Sequence, residues 1–340
     1  MTGRHAASKS VRDGAHAQVV QCTVEGIQGQ LVAKIFDPLY RWEGMDWDIG
    51  WSPVGLTESE WSREAAAYTR IEEMIKKQGF DGRCTPRFEG CWSFDVPYEL
   101  ELVSNSAAGT ATRGKQQQKS SDEALRRTIK VTRNVRLLLM EYIPGDSILQ
   151  LLETREYKKI PTEVRMDLVA QAAEAESALR HIRVSHGDPA SRNVVVVCTK
   201  KEHHHSSFSA SSSHSGNGEE GAGNEHRRRE QGVQECQWRV VWVDFGNSIV
   251  LDLPNAKYNI NGRLPPAGGL PPNPINMCRG WWPVMDLCLD DDINWIDEHL
   301  DNFEARRKWM EARWGEGSAS ARRYQPVEYD KLAPEWRNEK

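Results

Sequence analysis

His186-Gly187-Asp188-Pro189-Ala190-Ser191-Arg192-Asn193 and Asp244-Phe245-Gly246 are the stretches on which the reading of this chain turns. Each adjoins an apolar run, Val194 to Val197 after the first and Val240 to Val243 before the second. Runs rich in β-branched residues read as buried strands. An Asp and an Asn therefore lie on a loop entering one strand, and a second Asp lies at the exit of another. Carboxylate and amide oxygens are the hard donors that Mg²⁺ prefers.

Between the two runs, residues 199–237 are rich in Ser, His, Gly, Glu and Lys, with His203 to His205 and Arg227 to Arg229. Such a segment lacks the apolar area that would offset the entropy of ordering, so it reads as a disordered insertion. Without it, Asn193 to Cys198 faces Trp238 to Val243 as a β-hairpin. Lengthening the connection is tolerable, since each doubling of loop length costs only about 0.6 kcal/mol. The His triplet reads as a solvated tract, not as a metal site, and the Arg triplet as a solvated charge run or a phosphorylation or docking segment. A second polar insertion, 104–127, separates a strand ending at Val103 from another over Val131 to Met140.

Nearer the N-terminus, Leu31-Val-Ala-Lys-Ile-Phe36 is a short strand in which alternation puts Val32, Lys34 and Phe36 on one face. Thr57-Glu58-Ser59-Glu60 reads as a capping box opening a helix that runs to about Lys77, before Gly79. Its apolar positions are Trp61, Ala65, Tyr68, Ile71 and Ile75, and Glu64 projects within that stripe. A carboxylate on a buried helix face needs a partner, and Lys34 is the candidate. Further on, Arg136 to Glu141 reads as a buried strand ending at a Pro144-Gly145 turn. Thr162 to Ile182 reads as a helix with Val164, Leu168, Ala172, Ala175 and Leu179 on one side.

The order H-x-D-x-x-x-x-N then D-F-G, preceded by a strand lysine and a helix glutamate, resembles the protein-kinase-like superfamily. The H-G-D form is also similar to aminoglycoside and choline phosphotransferases. The resemblance covers about residues 14 to 250 with two gaps. It implies an α+β bilobal fold, with a small antiparallel N-lobe carrying one helix and a mostly helical C-lobe. The corresponding boundaries are 7–142, 143–314 and a loose tail over 315–340, and the resemblance implies ATP between the lobes.

By the same carry-over, Asp188 orients the attacking hydroxyl, Lys34 and Glu64 serve the α- and β-phosphates, and Asn193 and Asp244 hold Mg²⁺. Met140 stands near the gatekeeper, and backbone groups of Glu141 and Ile143 contact adenine. Phe245 packs beneath the Glu64 helix, and Gly246 permits a sharp turn. Departures accompany these matches. Gly187 replaces the usual Arg, which removes the cation that pairs with a phosphorylated activation segment. Ala190 stands where many members carry Lys, and Arg192 is placed to supply that cation. Gly14 is one glycine where the family has three, and no A-P-E follows Gly246.

The implied function is ATP- and Mg²⁺-dependent transfer of a γ-phosphoryl group to a hydroxyl, with a protein acceptor preferred. The alternatives are a pseudokinase or nucleotide-binding scaffold, and a small-molecule kinase. Composition agrees with an ordinary globular chain of 340 residues, 39% hydrophobic and 27% charged. A formal net charge of −5 gives no basic field for nucleic acid or an anionic membrane. Seven cysteines, none in a C-x-x-C pair, favour a reducing, intracellular (cytoplasmic) setting. No apolar run reaches the ~20 residues of a membrane span, and Met1 to Ser10 contain no signal-peptide core. Thirteen tryptophans are expected to pack loops and helices particular to this chain.

Overall fold

The structure is a computed structural model and describes residues 10–13, 17–40, 52–103, 126–200, 236–254, 269–277, 288–290, 293–296, 300 and 303–329. In chain order its principal elements begin β1 (Ser10–Asp13), β2 (Gln18–Cys22), β3 (Leu31–Phe36), α1 (Pro53–Gln78), β4 (Phe88–Val103) and β5 (Arg126–Glu141). There follow β6 (Asp146–Ser147), α2 (Ile148–Glu153), α3 (Thr162–His181), β7 (Val184–Ser185), β8 (Val194–Lys200) and β9 (Cys236–Trp242). The last are β10 (Ile249–Val250), α4 (Pro274–Met277), β11 (Cys288–Asp290), β12 (Ile293–Asn294) and α5 (Phe303–Trp314). The fold is α+β with antiparallel strand pairing. Among the described residues, no helix is long and apolar enough to cross a membrane.

The chain divides into two compact units. The first comprises residues 1–142, 182–188 and 244–267. Its sheet has the order β1-β2-β3-β5-β4, antiparallel throughout. In β3, Lys34 pairs with Leu138 of β5, so Lys34, Phe36, Leu138 and Met140 fall on a common side. Helix α1 packs on that side: Tyr68 approaches Met140, and Arg136 of β5 stacks on Trp61.

The start of α1 lies four residues ahead of the expected capping box. Ser52 is the N-cap, its hydroxyl accepting from the Gly55 amide, and Pro53 occupies the first helical position. Proline already has the helical φ and lacks a donor that would be unpaired there, so Ser52-Pro53 outcompetes Thr57. Thr57 is buried and donates its hydroxyl to the Pro53 carbonyl. The helix ends as expected at Gly79, whose φ of 65° allows its amide to reach the Ile75 carbonyl. Ala65, Ala67, Tyr68, Ile71 and Met74 are buried, a wider stripe than the sequence pattern suggested.

The second unit comprises residues 143–181, 189–243 and 268–340. The expected hairpin forms: β8 pairs antiparallel with β9, and β6 joins the other edge of β8. Its ladder runs to Lys200 and Cys236, so residues 199–200 and 236–237, expected in the insertion, belong to strands. Residues 201–235 and 104–125 lie outside the described residues. Helix α3 carries Ala170, Ala172, Ala173 and Ala175, all buried, and these small side chains let neighbours approach from more than one side. Val164, expected in the stripe, is only half-buried.

One core joins Ala170 and Ala173 to Ile275 of α4 and to Met310, Trp314, Tyr324 and Val327. The tail expected to be loose is therefore packed over residues 315–329. Tyr324 and Val327 are buried, and the Gln325 amide donates to the Pro271 carbonyl. Polar composition concealed these apolar anchors. Helical structure is expected from Ile293, but Ile293 and Asn294 form β12, and α5 covers Phe303–Trp314. Trp242, Trp295 and Trp314 are fully buried, and each indole N–H is paired, with Ala172 O, Arg165 O and Glu174 Oε1 respectively.

Candidate functional site

Lys34, Glu64 and Asp244 meet within the first unit. Lys34 Nζ lies 2.7 Å from Glu64 Oε2 and 2.7 Å from Asp244 Oδ1. Side-chain exposure is 12% for Lys34 and 1% for Glu64, against 48% for Asp244. The cluster therefore has one sealed carboxylate, one bridging amine and one carboxylate open to solvent. Strand alternation turns Lys34 towards α1, and helical periodicity turns Glu64 towards the sheet.

The surroundings set the charge states. Burial pushes Glu64 upward and Asp244 adds to the rise, while Lys34 opposes it, leaving the group at about 7. Burial alone would lower Lys34, but the two carboxylates outweigh it and hold the ammonium above its ordinary range. Asp244 stays below the usual carboxylate range. Its desolvation is outweighed by Lys34, the Gly246 amide and the nearby His186.

Asp244 has φ 62° and ψ 72°, the left-handed region, which Asp tolerates better than most residues. The sharp turn is thus at Asp244 itself, and Gly246, for which it was expected, has no positive φ. The Gly246 amide donates to Asp244 Oδ1 at 3.4 Å, and an added Cβ there would crowd the same oxygen at 3.3 Å. Phe245 is fully buried, edge-on to Tyr68 of α1 at 5.1 Å and tilted against His186 at 4.6 Å. Tyr68 in turn stacks on Phe88 at 5.4 Å. Aromatic pairs of this kind contribute about 0.5–1.5 kcal/mol each beyond their burial. The row locks the Asp244 turn to the helix that carries Glu64.

The His186 loop is joined to the same turn. Strands β7 and β10 pair, and Gly187 has φ 80° with its missing Cβ directed at the Asn247 carbonyl oxygen. An added Cβ would lie 2.0 Å from that oxygen. No L side chain fits at this position without moving that carbonyl. Asp188 follows on this loop, partly exposed.

Arg70 of α1 donates to the Ile182 carbonyl and to Asp252, and Arg183 donates to the other oxygen of Asp252. Ser248 Oγ donates to the Arg63 carbonyl. None of these braces was foreseen from sequence. Isolated Arg and Asp residues at such separations carry no pattern, although the Arg183 φ of 73° marks a position held by its surroundings.

The remaining expected site residues are distributed as follows. Asn193 is buried and Arg192 exposed on a 3₁₀ turn in the second unit, where the Val243 amide donates to the Asn193 carbonyl. Ile143 is buried against Val197 and Val241 of that unit. The Glu141 amide donates to the Arg87 carbonyl at 2.8 Å, so that donor is already engaged within the first unit. Gly14 lies outside the described residues.

Asp244, in the first unit, is an ionised, half-exposed carboxylate, a hard oxygen donor of the kind divalent cations take. Among the described residues, no group of three or more His, Cys, Asp or Glu side chains is clustered to hold a metal on its own. No protein-family model matches this chain, and no curated protein matches it.

Proposed function

We propose that the chain is an ATP- and Mg²⁺-dependent phosphotransferase of the kinase-like kind, its two units acting as the lobes. The observation that carries this reading is the bridging of Lys34 between sealed Glu64 and solvent-open Asp244. With Glu64 and Asp244 each accepting one hydrogen bond from it, the Lys34 ammonium would turn its third donor to a phosphate oxygen. Glu64 would orient Lys34, and Asp188 would accept or orient the proton of the attacking hydroxyl. Asp244 and Asn193 would hold Mg²⁺. Bound there, the ion would neutralise phosphate charge as the γ-phosphoryl group leaves. Arg192 would supply the cation that Ala190 does not. The acceptor is preferred to be a protein hydroxyl over a small alcohol.

The test is ATP turnover by the purified chain with Mg²⁺, compared with Asp188→Ala. Turnover should vanish in the variant while nucleotide binding persists, and equal turnover rejects the assignment. Labelled ATP incubated with a fractionated lysate would then sort protein from metabolite acceptors. A nucleotide-binding scaffold is the second reading, favoured by Gly14 standing where the family has three glycines. A protein that shows a thermal shift with ATP and Mg²⁺ but no turnover would adopt it.

A further inference from the structure

Cys198 and Cys236 face each other at the open end of the β8–β9 ladder. They lie two positions apart in register, Cys198 opposite Trp238 and Cys236 opposite Lys200. Their Cα atoms are 5.7 Å apart and their sulfurs are in bonding position, across a sequence separation of 38. Disulfides form when Cα atoms stand about 4.4–6.8 Å apart. Cys198 is exposed and Cys236 half-buried. Cys236 also lines an open cavity of ≈ 490 Å³ with Glu163, Val164, Asp167, Gln237 and Trp238.

The sequence offered no sign of this. Scattered cysteines without a C-x-x-C pair read as independent thiols, and only the hairpin register brings these two together. That register also determines what the bond does. The ladder already aligns the two strands from Val194–Trp242 to Lys200–Cys236, and Trp242 is anchored in the core. The covalent link therefore closes a loop that strand pairing has closed, and the hairpin does not depend on it. A disulfide on a hairpin already held by its ladder, with Cys198 an exposed residue, can be made and broken under native conditions.

We propose that Cys198 and Cys236 form a reversible thiol–disulfide site that exchanges with a low-molecular-weight disulfide, glutathione disulfide being the chemical class. The exposed Cys198 loses its proton to solvent, and its thiolate attacks one sulfur of the oxidised tripeptide. The first glutathione leaves as a thiolate and a mixed disulfide remains on Cys198. The Cys236 thiolate, its proton likewise lost, attacks the Cys198 sulfur, forming the Cys198–Cys236 bond and expelling the second glutathione. Both expelled thiolates take up protons. Two protein thiols are oxidised and one disulfide is reduced to two thiols. Transient, sensing disulfides are the kind compatible with a reducing compartment.

The experiment equilibrates the full chain, undenatured, over a series of glutathione ratios, then quenches, alkylates and maps peptides by mass spectrometry. A peptide cross-linked through Cys198 and Cys236 is expected to appear in one transition spanning roughly two decades of [GSH]²/[GSSG]. Cys22, Cys84 and Cys91 should stay alkylatable. Cys236→Ser should stop at a glutathione adduct on Cys198, and Cys198→Ser should give no cross-link. Both thiols alkylated at the most oxidising ratio would overturn the proposal. So would pairing of either cysteine elsewhere, or a cross-link that reduced glutathione removes only in denaturant. Circular dichroism of both variants, expected to match the parent, keeps unfolding from imitating the first of these results.

Discussion

Lys34→Met tests the electrostatics of the cluster without nucleotide, and its signature is a destabilisation that grows with pH. The wild-type pair consists of an ammonium and a Glu64 carboxylate sealed from solvent, with Glu64 titrating at about 7. Removing the ammonium deletes the attraction that opposes burial, so Glu64 in the variant is pushed further above 7. In the unfolded chain Glu64 titrates near its ordinary value of about 4.3 in both proteins. Below pH 6 both folded states hold the proton, and the variant loses about 1–2 kcal/mol, the worth of a few charge-assisted hydrogen bonds.

Above pH 7 the folded wild type releases the proton while the folded variant keeps it. The deficit then grows by about 1.4 kcal/mol per pH unit. It should approach the ~3–5 kcal/mol typical of breaking a buried pair. Lys34 contributes no slope in this window, being charged in both folded and unfolded states until its ordinary pKa near 10.4 is passed. Urea denaturation of both proteins at pH 6, 7, 8 and 9 reads the effect. Adding Glu64→Gln to Lys34→Met should flatten the slope. A deficit independent of pH, or a slope that survives Glu64→Gln, refutes the argument.

The other consequences can be checked separately. Gly187→Ala should cost about 2 kcal/mol or more in a thermal or urea melt, because it adds a left-handed penalty to a clash with the Asn247 carbonyl. Tyr68→Phe should be nearly silent, since the hydroxyl only grazes Met140 Sδ at 3.7 Å. Tyr68→Ala should cost about 3–5 kcal/mol by opening a cavity between Phe88 and Phe245. Asp252→Asn should cost only about 1 kcal/mol, since the carboxylate is half-exposed, and the loss should shrink at high salt. Asp244 has a lowered folded pKa, so its stabilising share is complete above its unfolded value of about 3.9 and is lost as pH falls through the folded one. Carbon-13 carboxyl shifts of Asp244 and Glu64 would show the two titrating on opposite sides of their ordinary values.

Much of the frame was legible in the linear chain, and the particular elements say why. Alternation in Leu31–Phe36 and the helical stripe around Glu64 are local periodicities, and local periodicity alone turned Lys34 and Glu64 towards their partners. The β8–β9 hairpin could be read across a long polar insertion because apolar runs keep their pairing preference whatever separates them. Capping was read less well: Ser52-Pro53 and Thr57-Glu58 both carry start signals, and only the backbone chose between them.

What stayed hidden depends on residues distant in sequence becoming neighbours in space. The refusal of any side chain at Gly187 comes from a carbonyl sixty residues away. The pairing of Cys198 with Cys236 follows from strand register, and Tyr324 and Val327 are anchored by a core assembled from α3, α4 and α5. Composition and period describe what each segment prefers. They carry no term for contact between segments, and sealing Glu64, straining Asp244 and bracing Arg70 against Asp252 are all contact effects.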